Sequence, residues 1–228
     1  MRILALETAG IAGSLAALED DRVVGERQLG TDARTARALA PAMRDLLSEV
    51  GWRPRDVELT AVAVGPGSFT GLRIGITTAK TFAYAAGTQV LGVNTLEAIA
   101  ERCPRSARSI AVVLDALRNQ LFAARFSRDG SDLLIEEQST HLVDVDRWLN
   151  DLPAAAIITG SGLEKLVDRL PPSVTAIDRN LWSPNAAAVG QLAYRHFLTG
   201  RRDDVFKLIP CYYRRTAAQE QWESKQRP

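Results

Sequence analysis

The chain has 228 residues, 46% of them hydrophobic and 24% charged, and 28 Lys+Arg against 27 Asp+Glu leave a formal net charge of +1. That make-up suits a globular protein with a sizeable core and excludes the disordered and fibrous classes, while near-neutrality argues against retention on nucleic acid or membrane by bulk charge. Only two histidines, His141 and His196, and two cysteines, Cys103 and Cys211, occur, too few for a zinc cluster or a disulfide framework.

The opening apolar run is cut by Glu7 and is too short for a signal segment, and no stretch approaches the roughly 18 apolar residues of a membrane span. A reducing, cytoplasmic setting is the expectation. Segments 2–8, 12–19 and 22–29 read as three short strands, a meander with turns at Gly10 to Gly13 and at Asp20-Asp21. From residue 31 to 50 the period becomes helical, with Leu39, Met43, Leu46, Leu47 and Val50 on one face and Gly51 as the stop. A buried strand follows at 59–64, then a glycine-rich turn, a helix over 72–86 ended by Gly87, a strand at 89–93, and a helix capped by Asn94 with Glu97 as its capping partner.

The second half repeats this order. Strands are predicted at 109–115, 119–127 and 132–138, a short helix near 144–150, a strand at 155–159, a helix at 163–169 and a strand at 174–177. A last helix spans 184–199, with Ser183 as N-cap and Pro184 at its first position. Three strands before the first helix, twice over, disfavour a plain Rossmann repeat. They point to an α/β protein of duplicated ribonuclease-H-like units forming a two-lobed actin-like (ASKHA) fold. The lobes are drawn at 1–104 and 105–228, with the tail from about 211 free to return to the first.

The most distinctive segment is GPGSFTGLRIGITTAK, residues 65–80, with Gly65, Gly67 and Gly71 between a strand and a helix. Exposed amides and the helix dipole at such a turn can hold an anion. The spacing matches neither GxxxxGK[ST] nor GxGxxG followed by an acid about 20 residues on. The plainer reading is that these glycines allow tight turning and close helix packing. Glu7 and Asp115 end the first strand of each half and are candidates for a paired acidic site in an interlobe cleft; equally, each is a turn former. Glu7, Thr8, Gly65, Gly67, Ser68, Gly71 and Asp115 are therefore the candidate nucleotide-binding residues, although Leu117 and Arg118 crowd the second turn. Neither histidine has a partner at metal-ligand spacing, there is no HExxH, and Ser68 lacks a GxSxG setting, so no catalytic residue is assigned. The cysteines are expected in packing roles.

The run GPGSFTGLRIGITTAKTFAYAAGTQVLGVNTLEAIA, supported by ILALETAGIAGSLAAL, LDALRNQLFAA and PCYYRR, resembles the TsaB (YeaZ) family over nearly the full length. The resemblance implies an actin-like, non-catalytic partner of a paralogous TsaD-like transferase in the formation of N6-threonylcarbamoyladenosine at position 37 of tRNA. That paralogue carries an HxxxH metal pair that this chain lacks. The resemblance also implies a TsaE-like ATPase as a further partner, ATP or ADP with magnesium near a subunit interface, tRNA reached through the complex, and a homodimer as an option for the isolated chain. The implied partner face is the 32–50 helix, represented by Arg34, Arg37, Leu39, Met43 and Leu46. Departures from the family pattern are Glu7 where Asp is usual, Thr35-Ala36-Arg37 ahead of Pro41, and Thr216-Ala217-Ala218-Gln219 in the tail. Two other function classes stand beside this one: an actin-like phosphotransferase using Glu7 and Asp115, and direct tRNA binding through Arg201, Arg202, Arg214 and Arg215.

Overall fold

A computed structural model describes residues 1–30, 35–129 and 133–214. Two five-stranded sheets form its frame. The first contains β1 (Arg2–Glu7), β2 (Ser14–Glu19), β3 (Arg22–Gln28), β4 (Leu59–Gly65) and β5 (Gln89–Asn94), in the order β3-β2-β1-β4-β5. The second contains β6 (Ser109–Asp115), β7 (Gln120–Arg128), β8 (Leu134–Asp144), β9 (Ile157–Thr159) and β10 (Thr175–Ala176), in the order β8-β7-β6-β9-β10. In each sheet the first three strands pair antiparallel and the last two join in parallel. The duplication that the element order suggested is thus present strand for strand, and the fold is the two-lobed actin-like one.

Alternation along the strands explains how the first sheet is covered. Ile3, Ala5, Ala16, Leu18, Ala61 and Ala63 pack on α5 (Ala186–Leu198). Leu4, Leu6, Leu15, Ala17, Val62 and Val64 pack on α1 (Thr35–Glu49) and α2 (Phe69–Ala86). Both faces are buried, so the strands read as nearly continuous apolar runs. Helix α3 (Thr95–Glu101) belongs to the first half, yet Leu96, Ile99 and Ala100 pack on Ile110, Val112, Ala124 and Phe126 of the second sheet. Helix α5 comes from the second half and covers the first sheet, where Gly190 permits close approach: a Cβ there would lie 2.3 Å from Leu18 Cδ1. The two units therefore exchange their last helices across the middle of the molecule. The remaining helix, α4 (Val145–Asn150), lies beside β8.

Several expectations need correction. The predicted helix at 163–169 is two 3₁₀ turns, Ser161–Lys165 and Val167–Arg169, broken at Leu166, whose φ is −124°. The last helix begins two residues late, because Asn185 and not Ser183 is its N-cap, accepting from the Ala188 N–H at 2.9 Å. Helix α2 starts three residues earlier than its apolar spacing suggested, since Ser68 caps it by accepting from the Gly71 N–H. Asn94 caps α3 as expected, but the Glu97 carboxylate lies 2.9 Å from His196 of α5.

After α5 the chain runs along the free edge of β5. The Gly92 N–H donates to Asp203 Oδ2 (2.8 Å), Lys80 donates to the carbonyls of Phe206 and Leu208, and the Cys211 N–H donates to the Val64 carbonyl (2.8 Å). Tyr212 stacks on Phe69, and Arg214 donates to the Ala116 carbonyl in the β6–β7 turn.

Candidate functional site

Residues of both units line a cleft of about 560 Å³. One side is the β1–β2 turn and the start of α2, with Thr8, Gly10, Gly67, Ser68 and Gly71; the other includes Leu114, Asp115 and Ser161. All the candidate nucleotide-binding residues gather at this place except Gly65 and Glu7. Gly65 sits at the end of β4 with φ +120°, where a Cβ would meet the Cys211 carbonyl oxygen at 2.7 Å. Glu7 is fully buried beneath the cleft wall.

The glycine segment is locked to the first turn. The Ser68 N–H donates to the Ala9 carbonyl (2.9 Å), Thr8 Oγ1 donates to the Gly71 carbonyl (2.8 Å), and a Cβ on Gly71 would lie 2.0 Å from the Thr8 carbonyl oxygen. The glycines thus serve close packing of loop on helix. The same holds for the polar groups. Glu7 Oε1 accepts from the backbone N–H groups of Ala9 and Gly10, while Oε2 has no partner. Asp115 Oδ1 accepts from the Leu117 N–H (2.8 Å) and Oδ2 from Lys165 (2.5 Å). Burial pushes the Asp115 carboxyl up, but Lys165, the Leu117 amide and Arg214 outweigh it and hold the group below its usual range.

A nucleotide with magnesium has room in a cavity of this size, but these residues do not fit its phosphates and metal as arranged. The amides of Ala9 and Gly10 already serve Glu7, the Gly71 amide serves Ser68, and Asp115 is committed to Lys165. Among the described residues no cluster of three or more His, Cys, Asp or Glu is placed to hold a metal ion. Leu117, Arg118 and Asn119 form a tight left-handed turn with φ between 54° and 61°, and Leu117 projects outward with 66% exposure.

Burial sets the chemistry of Glu7, raising its pKa from the ordinary 4.5 to about 7 against the opposing hydrogen bonds from Gly10 and Ala9. The folded chain therefore holds this proton where the unfolded chain has lost it. Stability from this group is complete below pH 4.5 and falls as pH rises towards 7, by on the order of 3 kcal/mol in all. Glu7→Gln keeps the accepting oxygen and removes the charge. The variant is expected to melt higher than the parent at pH 8 and to converge with it near pH 5; parallel melting profiles across that range would contradict the assignment.

The other singled-out residues lie elsewhere. Leu39 and Leu46 were expected on a partner face, but they are buried under α1 in the core of the first sheet. Met43 is also 95% covered and forms the floor of a groove between α1 and α2, while Arg37 and Arg44 are exposed. Arg34 and the tail residues 215–219 lie outside the described residues. The groove, about 680 Å³, is walled by Ala40, Leu47, Trp52, Phe82 and Ala85, with Arg44 and Arg53 among its lining residues. Cys103 is a core residue whose thiol burial pushes up to about 11, and Cys211 is exposed. Arg201 donates to the Gly92 carbonyl, Arg202 to the Phe197 carbonyl and Arg214 to Ala116, so the three described arginines of the four considered for tRNA bind the chain itself. No helix among the described residues is long and apolar enough to cross a membrane.

The family model described as "TsaD: tRNA N6-adenosine threonylcarbamoyltransferase" matches residues 31–175, more than half of the chain. The curated relatives matched over full length carry the name "tRNA threonylcarbamoyladenosine biosynthesis protein TsaB". The chain belongs to this family, on its TsaB/YeaZ side. The TsaB protein of Escherichia coli is 29% identical over 232 residues, covering 99% of this chain and 100% of that one. The TsaB protein of Bacillus subtilis is 26% identical with full coverage of both. Among solved structures, YeaZ from Pseudomonas aeruginosa superposes with a TM-score of 0.82 at 28% identity, over 92% of this chain and 99% of that one. A ROK hexokinase from Thermus thermophilus, at 12% identity and a TM-score of 0.51 over 88% of this chain, shares the fold alone. As a TsaB/YeaZ chain, this one keeps the actin-like cleft but spends the cleft's polar groups on its own packing.

Proposed function

We propose that this chain is a partner subunit in the biosynthesis of threonylcarbamoyladenosine on tRNA, holding a TsaD-like transferase in its working arrangement and doing no chemistry of its own. The observation that carries this reading is full-length likeness to TsaB proteins in a chain whose cleft groups are engaged with one another. The α1–α2 groove is the proposed seat of the transferase. An apolar floor with two arginines at its margin suits a partner helix bearing apolar anchors and flanking acids. A TsaE-like ATPase, a nucleotide at the subunit junction and tRNA reached through the assembly belong to the same reading.

The test is reconstitution of the purified chain with its cognate TsaD-like protein. A complex is expected at micromolar concentration. Ala85 is exposed on the groove wall, so Ala85→Glu leaves the fold intact while burying a charge in the interface. It is expected to weaken the complex by about 100-fold by calorimetry, with an unchanged melting temperature. Failure of the parent chain to bind, with or without nucleotide, would overturn the reading; a complex indifferent to Ala85→Glu would move the interface elsewhere.

A further inference from the structure

Away from the cleft, the second sheet carries a small polar pocket that the partner reading does not use. A slip in register builds it. Ala123 pairs with His141 and Arg125 with Gln138, so two steps on β7 span three on β8. Residues three apart on a regular strand face opposite ways; the extra residue turns Gln138 and His141 to the same face as Arg125. These three side chains line a cavity of about 240 Å³ together with the buried Trp148 of α4 and the exposed Asp151 just after it.

Arg125 is the member that calls for a ligand. It is partly shielded, its Nε is shut off from solvent with no acceptor, and its guanidinium makes no hydrogen bond or ion pair among the described residues. Other shielded arginines are engaged: Arg128 and Arg195 with Glu101, Arg102 with the carbonyls of Ser183 and Asn180, Arg214 with that of Ala116. A guanidinium whose Nε is closed to water gains from an acceptor that meets its planar fork, and a carboxylate matches that fork with two bonds. The neighbours add acceptors. His141 Nδ1 donates to the Ser139 carbonyl at 2.9 Å, which makes Nε2 the accepting nitrogen, with a long 3.5 Å contact to Gln138 Nε2 that a stronger donor would replace. Asp151 adds a negative charge, with Arg147 Nε 3.7 Å from its Oδ2. One cationic donor beside two acceptors disfavours inorganic dianions and suits a ligand that carries both signs. The volume is about that of eight waters in the liquid, which admits such a ligand and excludes a nucleotide.

We propose that this pocket binds a small α-amino acid as its zwitterion, the carboxylate on Arg125 and the ammonium towards His141 Nε2 and Asp151.

Calorimetric titration of the full chain with L-alanine, propionate and inorganic phosphate tests it. L-Alanine is expected to bind saturably near about 1 mM, propionate several-fold more weakly, and phosphate not at all. Arg125→Gln is expected to weaken L-alanine binding at least about ten-fold without lowering the melting temperature, since it removes an uncompensated charge. Asp151→Asn, at an exposed position that leaves the fold alone, is expected to erase the preference for L-alanine over propionate. Absence of saturable L-alanine binding, equal binding by the Arg125→Gln variant, a preference indifferent to Asp151→Asn, or tighter binding of phosphate would each overturn the proposal.

Discussion

Glu101→Gln is expected to destabilise the protein by about 3–5 kcal/mol, the range for breaking a buried ion pair from one side. Glu101 ends α3 with its side chain 1% exposed, and three arginines converge on it from three directions. Arg195 of α5 donates to both carboxylate oxygens, at 2.6 and 3.0 Å. Arg128 of β7 lies 3.5 Å away with its own side chain fully buried, and Arg105 reaches in at 2.8 Å. Burial alone pushes the Glu101 carboxyl up; Arg195, Arg128 and Arg105 together outweigh it and hold it below its usual range. Because the folded pKa is lowered, the stabilisation is present above pH 4.5 and is lost as pH falls through the folded value. The cost of the substitution is therefore largest at neutral pH, where it removes the charge on which Arg128 and Arg195 converge.

The position of this cluster makes it matter beyond one ion pair. It ties α3 of the first unit to β7 of the second, and both to α5, at the point where the units exchange helices. Chemical denaturation at pH 7 and pH 4 measures the effect. A double variant, Glu101→Gln with Arg128→Met, is expected to recover part of the loss, since it removes a buried charge together with the carboxylate it faced. Strict additivity of the two single changes would show that the residues do not act as a unit.

The helix exchange also marks where the sequence stops being informative. The strands are visible in ILALE and SIAVVLD as short continuous apolar runs because both of their faces are buried. Periodicity likewise shows that α3 and α5 bury a face, but not which sheet receives it; that depends on a contact between Leu18 and Gly190, 172 positions apart. The misread helix at 163–169 has the same origin: Leu163 and Leu166 are spaced as on a helix face, and the 3₁₀ segment buries both. At the cleft, the glycine segment and the first turn were legible as candidates for one site, but their direct packing on each other was not. Two glycine-rich turns can serve a phosphate or each other, and only the distances from Gly71 and Ser68 to Thr8 and Ala9 decide. The Arg125 pocket was invisible from the residues, since an unbulged β8 would put Gln138 and His141 on opposite faces.

Those distances lead to the second large effect. In an exposed helix interior, Gly→Ala stabilises by up to about 1 kcal/mol. Gly71 lies in the first turn of α2, and Gly71→Ala is expected to do the opposite, costing about 3–5 kcal/mol. Its methyl would sit 2.0 Å from the Thr8 carbonyl oxygen, a backbone atom that cannot rotate away. Relief requires moving the first turn off α2, which breaks the Thr8–Gly71 and Ser68–Ala9 hydrogen bonds at about 1 kcal/mol each on top of the overpacking cost. Gly75→Ala meets Thr8 Oγ1 at 2.1 Å, a side-chain atom with other rotamers available, so a smaller loss is expected. Gly30→Ala meets nothing within 4 Å and is expected to be near neutral. The ranking Gly71, Gly75, Gly30 in thermal melts separates the two roles a glycine turn can play. If the segment were an anion cradle resting loosely on the fold, Gly71→Ala would leave the melting temperature unchanged and alter ligand binding alone. A glycine segment that instead holds the first turn in place makes the cleft wall part of the core, so its loss is read in the melting temperature.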